Sequence, residues 1–301
     1  MIAPSGEQFE LSFGDQRAVV VEVGGGLRSY AVGGRDVLDG YGADAMSTSG
    51  RGQLLMPWPN RVEDGSYEFD GTRQQLPLTE PERGNAIHGL VRWASWSAAG
   101  REPDRVALEH VLHPQPGYPH SLALRAEYGL SADGLSVRIT ATNVGADACP
   151  FGCGAHPYLT LGTQVVDELT LQVPAQTILR SNARGIPVGE EGVDGTEFDF
   201  RRARAIGGTR LDTAFTTLQP GDVELRSARG DGLTLWFDDA FRYLMIFTGD
   251  PLPDVKRRSI AIEPMTCPPN AFRTGADLVV LEPGASWTGA WGIRASFIQA
   301  G

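Results

Sequence analysis

Six Asp-Gly pairs punctuate the chain: Asp39-Gly40, Asp64-Gly65, Asp70-Gly71, Asp133-Gly134, Asp194-Gly195 and Asp231-Gly232. Asp-Gly between runs of alternating apolar residues is the strongest short-range hairpin signal, because both residues accept the positive φ of a tight turn. Tyr67 and Phe69 alternate before Asp70-Gly71, and Leu76 and Leu78 after it. Leu135, Val137 and Ile139 alternate after Asp133-Gly134, as do Leu233, Leu235 and Phe237 after Asp231-Gly232. No window sustains helical spacing over three turns. The 38 glycines and 20 prolines are spread throughout, as many short strands and tight turns require. Ala18 to Val37 reads as strand, Gly24-Gly25-Gly26 turn and strand. With no fixed-period repeat, low-complexity tract or linker, one all-β domain over residues 1–301 is expected.

Composition removes several function classes. The formal net charge of −11, from 37 acidic and 26 basic residues, argues against a nucleic-acid partner, which calls for a basic patch. No span approaches the roughly 18 consecutive apolar residues of a membrane helix, so no membrane partner is expected. Met1 to Glu7 lacks the charged and apolar regions of a signal peptide, and a cytoplasmic protein is expected. Cys149, Cys153 and Cys267 are too few for a disulfide framework and lack a second ligand pair at zinc spacing. They read as small apolar filler. His110 and His113, three apart on a strand, point to opposite faces, so no metal site is expected there. A Gly-x-Ser-x-Gly elbow is missing, and Gly24-Gly25-Gly26 has neither the spacing nor the following helix of a dinucleotide loop.

The chemistry concentrates in a few short runs. In Ile262-Glu263-Pro264-Met265-Thr266-Cys267-Pro268-Pro269-Asn270, a lone carboxylate follows an apolar run and precedes a proline-rich turn. Glu263 is either a strand-end salt-bridge partner or a partly desolvated carboxylate whose raised pKa suits a general base. His88, in Asn85-Ala86-Ile87-His88-Gly89-Leu90, and His156, in Gly152-Cys153-Gly154-Ala155-His156-Pro157-Tyr158, each sit between small and bulky residues. Each is structural or catalytic on local grounds; with Glu263 they supply an acid and a base near neutral pH. The glycines beside them would let a ligand approach the backbone. Arg61, in Met56-Pro57-Trp58-Pro59-Asn60-Arg61, offers a fixed fork of donors to hydroxyls, or pairs with Glu63 or Asp64. Asp212, in Leu211-Asp212-Thr213-Ala214-Phe215, holds hydroxyls or bonds its own backbone in a turn. Trp58, Trp93 and Trp96 are candidates for stacking on a sugar or for the core.

Asn60-Arg61, His88-Gly89, His156-Pro157-Tyr158, Leu211 to Phe215 and Ile262-Glu263-Pro264 occur in this order. The chain therefore resembles the aldose 1-epimerases, or galactose mutarotase-like proteins, from about Gly26 to Trp291. The resemblance implies a large, mostly antiparallel β-sandwich of the supersandwich type, with the sugar in an open cleft on one face. It implies Glu263 as base at the anomeric hydroxyl and His156 as acid at the ring oxygen. His88 would assist at that oxygen or stabilise charge there, and Arg61 and Asp212 would hold hydroxyls. No cofactor is called for, and a monomer or homodimer is expected. Glu263 must then be ionised while His156 is protonated, which predicts a bell-shaped pH profile.

One departure bears on the substrate. Leu90 follows Gly89 where better-known galactose-active members carry a second glycine. The run His88 to Trp93 is closer to a bacterial side branch that includes mutarotases proposed for modified sugars. It is also similar to hexose-6-phosphate epimerases, where an Arg follows His-Gly after a short gap. A neutral hexose such as glucose or galactose is the default. A phosphorylated or sulfonated hexose would call for Arg92 or Lys256-Arg257-Arg258, a triplet that otherwise reads as a solvated basic loop. A non-catalytic sugar-binding protein would need no acid/base set. A glycoside hydrolase would need Asp212 and Glu263 as facing carboxylates and leaves the histidines unexplained.

Overall fold

Alternation in the sequence becomes pleat in the Asp133-Gly134 hairpin. Leu122–Ser131 and Gly134–Asn143 pair antiparallel over their whole length, burying every second side chain. The computed structural model describes residues 2–298; Met1 and residues 299–301 of the expected domain lie outside it. Asp70-Gly71 joins the paired strands Ser66–Phe69 and Thr72–Gln75. Asp231-Gly232 ends the turn between Val223–Arg226 and Gly232–Phe237. Asp64-Gly65 and Asp194-Gly195 serve turns between strands that are not partners, because positive φ suits any sharp reversal, whereas Asp39-Gly40 forms no turn and has no positive φ. Asp64, with φ of 57°, turns the chain between Arg61–Glu63 and Ser66–Phe69, for example. Among the described residues the helices are one α-helical turn, Ala271–Thr274, and two 3-10 turns, Pro81–Arg83 and Val166–Glu168.

Two large antiparallel sheets dominate. The nine-stranded sheet runs, in spatial order, Ser97–Glu102, Arg105–Leu112, Leu122–Ser131, Gly134–Asn143, Ser286–Ser296, Gly232–Phe237, Val223–Arg226, Thr170–Gln172 and Arg204–Ala205. The eight-stranded sheet runs Pro187–Gly192, Ala175–Ser181, Asp212–Leu218, Tyr243–Phe247, Ile260–Met265, Gly154–Ala155 and Leu54–Leu55. Its eighth strand, Tyr158–Leu159, also pairs with Ile260–Met265. A four-stranded N-terminal sheet contains the expected strand–glycine turn–strand unit, as Gln16–Val21 and Leu27–Val32.

One hydrophobic core fills the space between the large sheets. Val137, Ile139 and Ile293 enter it from the nine-stranded sheet, and Leu244, Ile246, Ile260 and Ile262 from the eight-stranded one. Each such side chain contributes about 1.5–3 kcal/mol when fully buried. The alternate residues Met245 and Met265 join Ala214, Leu179 and Tyr243 in a separate cluster. Strand period two therefore gives the eight-stranded sheet a core face and an outer face. The candidate site lies on the outer face.

Candidate active site

Glu263 lies inside its strand rather than at the strand's end. Met245 pairs with it, and Pro264 and Met265 continue the ladder opposite Leu244 and Tyr243. On the other edge, Ile262 donates to the Pro157 carbonyl and Thr266 to the Cys153 carbonyl. Pro264, between them, has no N–H to give, so one rung is missing. That gap separates the short strands Gly154–Ala155 and Tyr158–Leu159. Their registers, Gly154↔Met265 and Tyr158↔Ala261, are in phase, which sets His156 opposite Glu263. His156 Nε2 lies 3.4 Å from Glu263 Oε1. Both side chains are buried, at 5% and 2% exposure.

His88 completes the trio. It follows the strand Asn85–Ile87, takes φ of 63°, and its ring meets His156 edge-on, with 5.3 Å between centroids. Its N–H donates to the Asn60 carbonyl (2.8 Å), and the Leu90 N–H donates to Met56 (2.7 Å). A Cβ on Gly89 would stand 2.0 Å from the Met56 carbonyl oxygen. The glycine after His88 therefore serves chain packing, not the ligand approach expected from sequence. Tyr158, two residues on from His156 and on the same face, stacks on its ring at 4.9 Å and 11°.

Arg61 pairs with neither Glu63 nor Asp64, which engage Arg184 and Arg273. Its partner is Glu80, bound through Nε and Nη2 at 2.9 Å each. Asn85 also donates to Glu80, at 2.8 Å. Asp212 opens the strand Asp212–Leu218 opposite Phe247 and faces Arg83 at 4.0 Å. The self-bonded turn open on local grounds gives way to this strand.

These five residues line one cleft of about 360 Å³, together with Arg92 and Tyr158. Three larger surface depressions, near 640, 660 and 900 Å³, contain none of the five, so size alone does not mark the site. Glu80, Arg83 and Tyr158 escaped the sequence reading. For Tyr158 a signal existed, since it stands two residues from His156 on a strand. Nothing local distinguishes Glu80.

The remaining candidates, Trp93 apart, lie elsewhere. Arg257 is buried against Asp167 and Asp250 rather than solvated, Arg258 binds Asp39 while about half exposed, and neither lines the cleft. Trp58 and Trp96 are core residues, while Trp93, about half exposed, reaches the cleft. The cysteines are buried, and burial pushes the Cys149 and Cys267 thiols up to about 11 and 12. Among the described residues no group of three or more His, Cys, Asp or Glu could hold a metal ion.

Burial dominates the electrostatics. It raises the Glu263 pKa well above the carboxylate range, assisted by Asp212 and opposed by Arg61. It lowers the His156 pKa to about 3, with Arg92 and Arg51 acting in the same sense. His88 is also lowered well below 6.5, by burial first and then by His156, Arg92 and Arg61. In the free protein the uncharged couple is thus favoured, with the proton on Glu263. This is the reverse of the charges expected from sequence, because both groups lie out of water. Moving that proton across the 3.4 Å contact gives the charged form without changing the proton count. Glu263 Oε2, His156 Nδ1, His88 Nδ1 and Arg92 Nε have no hydrogen-bond partner among the described residues. Buried polar groups are rarely left so, and all four belong to residues that line the cleft.

The aldose 1-epimerase family model matches residues 7–294. YihR, an uncharacterized protein of Escherichia coli K12, is 35% identical over 281 residues, covering 93% of this chain and 90% of YihR. The GalM/aldose epimerase homologue from C. elegans superposes with a TM-score of 0.88 at 17% identity, covering 97% and 99% of the two chains. The galactose 1-epimerase from Lactobacillus acidophilus NCFM does so with 0.82 at 20%, covering 95% and 92%. These structural likenesses show the galactose mutarotase-like sandwich. With the family model matched over nearly its whole length, this chain belongs to the aldose 1-epimerase family.

Proposed function

We propose that the protein is an aldose 1-epimerase that interconverts the α and β anomers of a free hexose by acid/base ring opening and closure. The observation that carries this is the buried Glu263–His156 couple, 3.4 Å apart, facing a cleft of sugar size. Ionised Glu263 takes the proton of the anomeric hydroxyl. Protonated His156 gives its proton to the ring oxygen as the C1–O5 bond breaks. The aldehyde turns about C1–C2, and closure on the other face returns both protons. His88 stands beside the same oxygen, and Arg61 and Asp212 hold hydroxyls. Arg61 also favours the carboxylate of Glu263. An acid/base couple contributes about 10²- to 10⁴-fold, and positioning of the sugar supplies the rest.

Polarimetry on freshly dissolved α-glucose and α-galactose tests the reading, with wild type beside Glu263→Gln. Faster decay to the equilibrium rotation, lost in the variant, is the expected result. Acceleration that survives in Glu263→Gln removes Glu263 as the base. No acceleration with any hexose, despite sugar binding, leaves a non-catalytic binding protein.

A second reading of the substrate rests on Arg92. It lines the cleft, burial lowers its pKa, and it forms no ion pair among the described residues. Among the described residues its one side-chain hydrogen bond is a 3.5 Å contact to the Ile87 carbonyl. Arg61, Arg83, Arg257 and Arg258 all have carboxylate partners. A desolvated guanidinium without a counter-ion favours a phosphate or sulfonate on the sugar, bound by charge-assisted hydrogen bonds. Arg92→Met should then raise KM for hexose 6-phosphate or a sulfonated hexose and leave KM for glucose unaffected, while loss of its charge beside His156 changes kcat on both sugars alike. An equal rise in KM on both would refute this reading.

A further inference from the structure

Beneath His156 lies a layer of structure that the acid/base couple does not itself include. The loop of residues 47–53 grips the His156 backbone on both sides. The Gly52 N–H donates to the His156 carbonyl (3.0 Å), and the His156 N–H donates to the Gln53 carbonyl (3.1 Å). A Cβ on Gly50, whose φ is 78°, would stand 2.5 Å from His156 Cδ2. Arg51, in the same loop, is 4% exposed and is not a lining residue of the cleft. Its guanidinium carbon lies 4.4 Å from the centroid of the Tyr158 ring. That ring in turn lies flat on His156. Arg51, Tyr158 and His156 thus form a stack that ends on the proposed acid.

The stack is anchored at its far end. Arg51 meets Asp39 at 3.4 Å. Asp39 also accepts from Ser259 Oγ (2.6 Å) and Arg258 (2.7 Å), and its N–H donates to the Tyr158 carbonyl (2.9 Å). The Tyr158 hydroxyl donates to the Ser49 carbonyl (3.0 Å). Asp39 is shared between two guanidinium groups, so it offsets the Arg51 charge only in part.

We propose that Arg51 is a positioning residue of the epimerase reaction, which through Tyr158 fixes the plane of His156 and, by its charge, makes the protonated imidazole a stronger proton donor. The proposal rests on the acid/base reading above. Glu263 faces His156 from the neighbouring strand, His88 from its ring edge, and Arg92 from the loop after His88. Tyr158 and Arg51 stand on the stack side with Asp39 behind them, while Arg61 and Asp212 act on Glu263. Of these, Arg51 and Arg92 disfavour the imidazolium, and burial acts in the same sense. A cation two ring spacings away, at an effective dielectric constant of about 20, shifts a pKa by on the order of one unit. The Tyr158 hydroxyl is pushed well above its ordinary range, by burial first, so the ring between Arg51 and the imidazole is a neutral phenol.

The test is the pH dependence of epimerisation by the full-length protein, with α-glucose or glucose 6-phosphate as the probe, for wild type, Arg51→Gln and Arg51→Lys. Arg51→Gln is expected to lower kcat, leave KM nearly unchanged and move the histidine limb of the profile up by about one pH unit. Arg51→Lys keeps the charge and should restore the limb. A Gln variant that folds, loses kcat and keeps its limb unmoved overturns the proposal, as does a Lys variant that behaves like Gln. Imidazole 15N titration of His156 in the free protein gives a readout apart from turnover. Wild type inactive on both sugars sinks the epimerase reading itself. Wild type active with a His156 titration indifferent to Arg51→Gln sinks only the role of Arg51.

Discussion

Glu263→Met should make the protein more stable while abolishing epimerisation. In the native cleft Glu263 is 2% exposed, its Oε2 has no partner among the described residues, and its Oε1 has a 3.4 Å contact with His156. An unsatisfied buried polar group costs about 1–3 kcal/mol. Methionine has nearly the same volume, so no cavity opens, and its flexible thioether fits beside Met245 and Met265. Some of the gain is lost because His156 Nε2 gives up its contact, leaving about 1–2 kcal/mol. At roughly 2.1 cal/mol/K per residue over 301 residues, this corresponds to a Tm increase of about 2–3 °C. The sign with pH follows from the raised native pKa. Between its ordinary 4.5 and that raised value, Glu263 binds its proton more tightly folded than unfolded. Stability contributed by the bound proton is therefore lost as pH rises through the native pKa. Scanning calorimetry of wild type and variant at pH 5 and pH 8 should show the larger advantage for methionine at pH 8. A fall in Tm at both pH values would refute the reasoning and return Glu263 to a structural ion pair.

Acid should destabilise the fold through His156. Its native pKa, near 3, lies below the ordinary 6.5, so the unfolded chain binds more protons between the two values and stability falls as pH drops through that window. The loss is on the order of 4 kcal/mol and should be largely absent in His156→Asn, as urea melts at pH 4 and pH 7 would read out. Gly89→Ala should lose at least about 2 kcal/mol and lower kcat, because the new Cβ meets the Met56 carbonyl and shifts His88; an unchanged melt would contradict this. Arg257→Ala should destabilise by about 3 kcal/mol, since it leaves Asp167 and Asp250 without their shared partner, yet keep KM on any sugar; a changed KM would place it in the cleft after all.

The proton inventory shows why environment matters more than residue type here. Two histidines and a glutamate suggest charged groups near neutral pH, and the sequence alone offers no reason to expect otherwise. Burial reverses the favoured charges of Glu263 and His156 in the free protein. In the proposed reaction, a sugar hydroxyl that reached Glu263 Oε2 or an imidazole nitrogen would supply the partner that atom lacks. Binding and activation of the couple would then be linked.

The five cleft residues were legible only through the order of motifs that resembles the aldose 1-epimerases, whereas the β class and the hairpins at Asp70, Asp133 and Asp231 were determined by the sequence by itself. The reason is that strand alternation and positive-φ turns are local, period-two properties of the chain. The role of Pro264 was not local: its missing N–H matters only because Pro157 and Cys153 flank the resulting gap. Nor was the partner of Arg61, since Glu80 and Glu63 are equally plausible on a string of residues. Sheet order likewise depends on contacts between distant segments: Ser286–Ser296, nearly the last residues described, lies between Gly134–Asn143 and Gly232–Phe237 in mid-sheet. Only the tertiary structure could set His156 opposite Glu263, isolate Arg92 from the carboxylates of the described residues and stack Arg51 behind the acid. Those outcomes depend on cross-strand register and on which charges are withdrawn from water, and both arise from residues far apart in the chain.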